Sequence, residues 1–174
     1  MKPERQRLLT NGLLTGAIGY AVIVAFFAAV NILQGHSPLF TAAVLGNALL
    51  GEPSTSIAAA PVAVYNGLHL VVFLVLGMSA AWIAGLVERR PQLWYLLLFL
   101  GVFAFFHLFG AVAMLAAPAG NSVSLSLVLV ASLLAVAGMS TWLWRAYPGL
   151  VKGVRAVGDF EDPLPASGRE PKRS

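Results

Sequence analysis

Four long apolar stretches without a charged residue limit what this chain can fold into. Residues 13–33, 62–87, 93–117 and 123–143 contain no Asp, Glu, Lys or Arg. Each stretch has the roughly 20 residues that a helix needs to cross a hydrocarbon core about 30 Å thick. The whole chain of 174 residues is 59% apolar and only 10% charged, whereas soluble domains carry about 25% charged residues. The sequence therefore predicts an all-α integral membrane protein.

We expect four transmembrane helices in an antiparallel bundle, at about residues 11–33, 61–87, 92–117 and 122–146. A fifth, short helix is predicted at about residues 38–50, because Ser37 and Pro38 are typical of a helix start and Gly51 of a helix end. This segment is uncharged and too short to span the membrane. It should therefore lie on the outer side, either flat on the membrane surface or against protein.

The basic residues indicate the orientation of the bundle. All eleven lie before the first apolar stretch, between the second and third, or after the fourth, which ends at residue 143, and the outer connections contain none. The positive-inside rule then places both termini in the cytoplasm of a bacterial-type inner membrane. Residues 1–147 form the transmembrane domain, and residues 148–174, rich in charge and proline, form a flexible cytoplasmic tail. Because this distribution explains the net charge of +4, we expect no nucleic-acid partner.

Catalytic signatures are missing from the sequence. The chain has no cysteine, which excludes thiolate metal sites, iron–sulfur clusters and cysteine nucleophiles. It also contains no phosphate-binding loop, no H-E-x-x-H pair and no paired carboxylates. We therefore predict no catalytic residue, no metal site and no enzymatic activity.

Two histidines inside the predicted spans are the main candidates for a ligand site. His69 and His107 should lie at similar depth in the outer half of the membrane, on adjacent helices. Tyr65 and Asn66 precede His69 by four and three residues and should share its helix face. A ligand at this polar stripe would be haem b held by both histidines, or a quinone or chlorin contacted by one of them. The alternative is that each histidine only hydrogen-bonds a neighbouring helix.

Three functional hypotheses remain open on the sequence alone. The leading one is a non-catalytic accessory or scaffolding subunit of a larger membrane complex, respiratory or photosynthetic, with other membrane subunits contacting Phe40, Leu45 and Leu49 of the short outer helix. The second is a haem- or quinone-binding membrane redox protein using His69 and His107. The third is a small transporter of two repeated hairpins, suggested by the similar segments 77–82 and 138–142.

Overall fold

The computed structural model describes residues 3–52, 54–116 and 123–150. These residues form five α-helices, a short 3-10 turn and no strand. The helices are α1 (Pro3–Leu33), α2 (Phe40–Leu49), α3 (Ala59–Arg89), α4 (Tyr95–Ala116) and α5 (Leu125–Ala146). Because α1, α3, α4 and α5 are long and apolar enough to cross a membrane, the predicted fold class is confirmed. The predicted tail lies outside the described residues from residue 151 onward.

Helix α1 begins at Pro3, well before the predicted start near residue 11. The prediction followed apolar residues alone, whereas the polar first turns of α1 have partners on α3. Glu4 forms an ion pair with Arg89 at 2.9 Å, although both side chains are largely exposed and such a pair is worth at most about 1 kcal/mol. We call this end of the bundle the arginine end, and the opposite end, where α2 lies, the α2 end.

Arg7 connects three parts of the chain at the arginine end. Its guanidinium donates to the carboxylate of Glu88 at 3.0 Å and to the carbonyl O of Ala146 at 2.6 Å. It also lies 4.5 Å from the ring centre of Tyr147, a side chain whose burial raises its pKa. The Glu88 carboxylate accepts a further bond from the backbone N–H of Gly149 at 3.1 Å. Arg7 and Glu88 together fix the position of the last turn of α5.

Glycines bring α1 and α3 into direct backbone contact. A Cβ at Gly16 would lie 2.5 Å from the carbonyl O of Phe73 and 2.7 Å from the Cα of Leu74. A Cβ at Gly77 would meet the backbones of Gly12 and Gly16. Helices in lipid associate through close packing, because lipid is as apolar as their side chains. The antiparallel pair of α1 and α3 is therefore the central contact of the bundle, and α5 packs on another side of α1 through Gly138.

Helix α4 is the most loosely packed of the four spanning helices. None of its described side chains is buried. At the arginine end Leu97 packs against a cluster that includes Val87, and at the α2 end Val112 packs against a cluster that includes Leu45 and Val128. Between these two clusters α4 stands apart from α3, its predicted direct neighbour, and a cleft runs between them.

Helix α2 packs against this chain's own bundle. It begins at Phe40, two residues after the predicted start, because Pro38 and Leu39 form a turn in which the backbone N–H of Phe40 donates to the carbonyl O of Ser37 at 2.9 Å. Gly51, with φ of 78°, follows its last turn as predicted. Leu45, predicted to contact a partner chain, is instead 1% exposed and buried within this chain, because its face of α2 packs against the rest of the bundle.

Polar side chains hold α2 in place from both sides. The amide of Asn31 donates to the carbonyl O of Pro38 at 3.2 Å and accepts from the Thr41 hydroxyl at 2.9 Å. Asn47 donates to the carbonyl O atoms of Ser54 and Ser56 at 3.0 and 2.9 Å. Asn31 is buried, so it serves this junction and not the interfacial solvation that its place near a span end suggests.

The glycine contact between α1 and α3 yields a stability prediction. Gly16→Ala should lower the free energy of unfolding by about 1–3 kcal/mol, because the added methyl group meets backbone atoms that cannot turn away. Gly67→Ala is the matched control on α3, where a Cβ would have no atom within 4 Å. It should leave stability unchanged or raise it by about 0.5–1 kcal/mol through helix propensity. Unfolding in mixed micelles, followed by circular dichroism, measures both, and equal effects would contradict the close contact.

Candidate functional site

A cleft beside α4 has a volume of about 410 Å³. All four spanning helices contribute to its walls, and Leu45 of α2 lies at one end. Its lining is mostly alkyl and aromatic, and the described lining residues include no Asp, Glu, Lys or Arg. A cavity of this size and character, with a few polar groups, is typical of a small-molecule site.

Three residues spaced four apart on α3 form an aromatic face on this cleft. Tyr65, His69 and Phe73 all line it, as their spacing along one side of a helix requires. The His69 ring stacks on Tyr65 with centroids 5.1 Å apart and an interplanar angle of 25°. It contacts Phe73 at 5.1 Å and Tyr20 of α1 at 6.4 Å in tilted arrangements. The imidazole is therefore held in one orientation by rings on three sides.

The Nε2 atom of His69 is buried and has no hydrogen-bond partner. Among the described side chains one other buried nitrogen shares this condition, Nε1 of Trp142, and Trp142 is not part of the cleft lining. An unpaired polar group in an apolar setting costs about 1–3 kcal/mol. The alternative in which His69 bonds a neighbouring helix is not seen at this atom, so Nε2 has no partner within the described protein.

Asn66 has a different place from the one predicted. Its side-chain oxygen accepts from the hydroxyl of Tyr20 at 3.2 Å, and its amide nitrogen donates to the carbonyl O of Val62 at 2.9 Å. Asn66 is therefore occupied in linking α3 to α1 and does not line the cleft. Of the predicted polar stripe, Tyr65 and His69 are the members that face the space.

The other predicted site residues lie apart from this cluster. His107 belongs to α4, but its side chain lies outside the described part of the structure, so pairing with His69 stays a prediction. Phe40 stacks on His36 at 4.4 Å beyond the cleft, and both Phe40 and Leu49 are half-buried on α2.

Two site residues were missed by the sequence analysis. Tyr20 is a polar side chain within a predicted span, a signal that could have singled it out. Gly101 lines the cleft on α4, where a Cβ would have no atom within 4 Å. Nothing in the sequence distinguishes it from the glycines that lie in tight contacts, because the difference depends on what faces each one.

Within the described residues there is no group of three or more His, Cys, Asp or Glu that could hold a metal ion. Comparison with protein-family models, with curated proteins and with solved structures finds no match to this chain. The site therefore has to be interpreted from its own geometry.

The unpaired Nε2 atom leads to a prediction for the stability of a His69 variant. His69→Phe should leave the free energy of unfolding unchanged or raise it, because the variant keeps the ring contacts and removes an unsatisfied buried group. Asn66→Leu, one turn away, should lower it by about 0.5–1.5 kcal/mol, because it breaks the bond to Tyr20. Unfolding in mixed micelles tests both. A loss above about 1 kcal/mol in His69→Phe would show that His69 serves a structural hydrogen bond.

Proposed function

We propose that this chain binds a lipid-soluble quinone within the membrane, with His69 as the hydrogen-bonding residue. The observation that carries the proposal is the unpartnered Nε2 atom of His69, a residue that lines an apolar cleft. An imidazole N–H donates readily to a carbonyl oxygen, and the flat rings of Tyr65 and Phe73 beside it suit a planar head group. The role is one of binding, as expected for a chain without catalytic signatures.

A quinone agrees with the cleft better than haem b or a chlorin does. Among the described lining side chains there is one imidazole, so the second axial ligand that a bis-histidine haem needs rests on the undescribed side chain of His107. A quinone needs a single donor and an apolar slot. The absence of charge among the described lining residues also suits a neutral molecule, since an unpaired charge is costly in this setting.

The orientation proposed from the charges determines in which half of the bilayer the site lies. Arg7, Arg89 and Arg145 all lie at the arginine end, which we propose faces the cytoplasm of a bacterial-type inner membrane. His69 would then lie in the half of the bilayer away from the cytoplasm, as the sequence analysis expected. The quinone head would lie in that same half.

An accessory role within a larger complex is the second candidate function. The observation in its favour is α4, a spanning helix without a buried residue among its described side chains. Its outward side carries large side chains, among them Phe99, which is 68% exposed. Since close packing holds membrane helices together, a helix of another subunit against this side would complete the contacts that α4 lacks in this chain.

The quinone proposal is tested on protein purified in mild detergent from bacterial membranes. Wild-type protein should carry quinone, quantified by solvent extraction and absorbance, in a near-stoichiometric amount. His69→Phe should lose about nine-tenths or more of it, equal to a tenfold fall in affinity or more at limiting quinone. His69→Gln, which keeps a hydrogen-bond donor, should retain an intermediate amount.

His36→Phe supplies the matched control for that experiment. It makes the same substitution at a histidine on the loop before α2, away from the cleft, and should leave the quinone content unchanged. Equal quinone in His69→Phe and wild type, or none in either, would overturn the proposal.

The accessory role is tested by photocrosslinking in intact membranes. A benzophenone side chain at position 99 should join the chain to one defined membrane protein that also co-purifies with it. The same group at position 71, an exposed site on α3, is the control and should yield lipid adducts alone. Lipid adducts at both positions would contradict a partner helix on α4.

A further inference from the structure

The cleft is long, and its lining follows the bundle over most of its length. On α5 the lining residues run from Val128 to Trp144, and on the α4 side from Trp94 to Val112. At 1.5 Å per helical residue, both runs are about 25 Å long, close to the roughly 30 Å hydrocarbon core. The cleft is therefore long enough for an extended chain.

Hydrogen-bonding groups lie in both halves of the cleft. Tyr65, His69 and Ser132 lie in the half nearer the α2 end, and the Ser132 hydroxyl already donates to the carbonyl O of Val128 at 2.8 Å. The lining toward the arginine end is mostly alkyl, with Ser140 and two tryptophans as the polar exceptions. His69 is the one imidazole among the described lining residues, so a head group bonded to it lies in the half nearer the α2 end and leaves the other half for an apolar tail.

The α2 end beyond His69 is filled by packed side chains. Leu45 of α2 and Val128 of α5 are buried there, with Phe27 and Val112 packed against them. A head group at His69 therefore cannot send a tail toward α2. Within the cleft, a tail can instead run along α4 and α5, past Gly101 and toward the arginine end.

We propose that the cleft holds a long-tailed quinone lengthwise, with its ring at His69 and its isoprenoid tail extending past Gly101 toward the arginine end. This inference rests on the quinone proposal above and adds to it a tail subsite in the half of the cleft near the arginine end. By helical rise, Gly101 lies roughly 15 Å closer to that end than His69 does. The two positions thus report separately on tail and head.

Gly101→Leu is the variant that tests the tail subsite. The added side chain enters the cleft, where a Cβ at this glycine has no atom within 4 Å and therefore no clash with the protein. Gly67→Leu is the matched control, an identical change on the exposed side of α3 with equally open surroundings. Ala104→Leu, one turn further along the same wall, is a second blocking variant should the first fail to fold.

Two probes distinguish binding of the tail from binding of the head group. One is decaprenyl ubiquinone, and the other is its tailless ring, dimethoxymethylbenzoquinone. Each is equilibrated with detergent-solubilised protein, and the bound amount is measured after gel filtration. In Gly101→Leu, the affinity for the decaprenyl compound should fall about tenfold or more, while affinity for the tailless ring stays within about twofold. Gly67→Leu should change neither. His69→Phe should weaken both.

The possible results distinguish the two proposals. If the tailless ring binds in a His69-dependent manner and Gly101→Leu and Ala104→Leu leave decaprenyl binding unchanged, the lengthwise placement is overturned and quinone binding stands. If neither probe binds to wild-type protein, both proposals are overturned. If Gly67→Leu weakens decaprenyl binding as much as Gly101→Leu does, the loss is not specific to the cleft and the tail subsite is overturned.

Discussion

The direct backbone contact between α1 and α3 is the interaction on which the other features depend. In a solvent as apolar as the side chains themselves, helices gain little from hiding apolar surface, so distance of approach decides which pairs form. Gly16 and Gly77 allow that approach. The bond from Tyr20 to Asn66 and the ion pair of Arg7 with Glu88 lie on the same pair of helices and become available once the pair has formed.

The cleft lies beside α4, a helix that lacks such a close contact. Gly101 and Gly110 of α4 have no atom near the position of a Cβ, so α4 makes no comparable approach to a neighbour. The two similar segments, residues 77–82 and 138–142, also differ in how closely they approach α1. Gly77 lies in backbone contact with α1, whereas Gly138 faces the side chains of Ile18 and Val22. Both segments pack on α1, an arrangement that does not reproduce two equivalent hairpins. The cleft lies where α4 stays apart from α3.

Much of the fold could be predicted from the sequence, because length and absence of charge identify membrane helices directly. The alignment of Tyr65 with His69 also followed from helical spacing alone. The burial of Leu45 could not be predicted, since an uncharged short helix suits lipid, a partner or its own chain equally well. The role of Asn66 depends on Tyr20, which lies 46 residues away in sequence. Contacts between helices, unlike the helices themselves, leave no periodic signal in one chain.

The packing of α2 has a consequence for the order in which the bundle assembles during synthesis. Its buried face packs in a cluster with Val123 and Val128, just before and within the first turn of α5, the helix that follows the others in the sequence. Helices α1 and α3 precede α5 in the chain and can pair as soon as both are in the bilayer. Until α5 arrives, α2 lacks part of its final surroundings, so the α2 end cannot close completely on α1 and α3 alone.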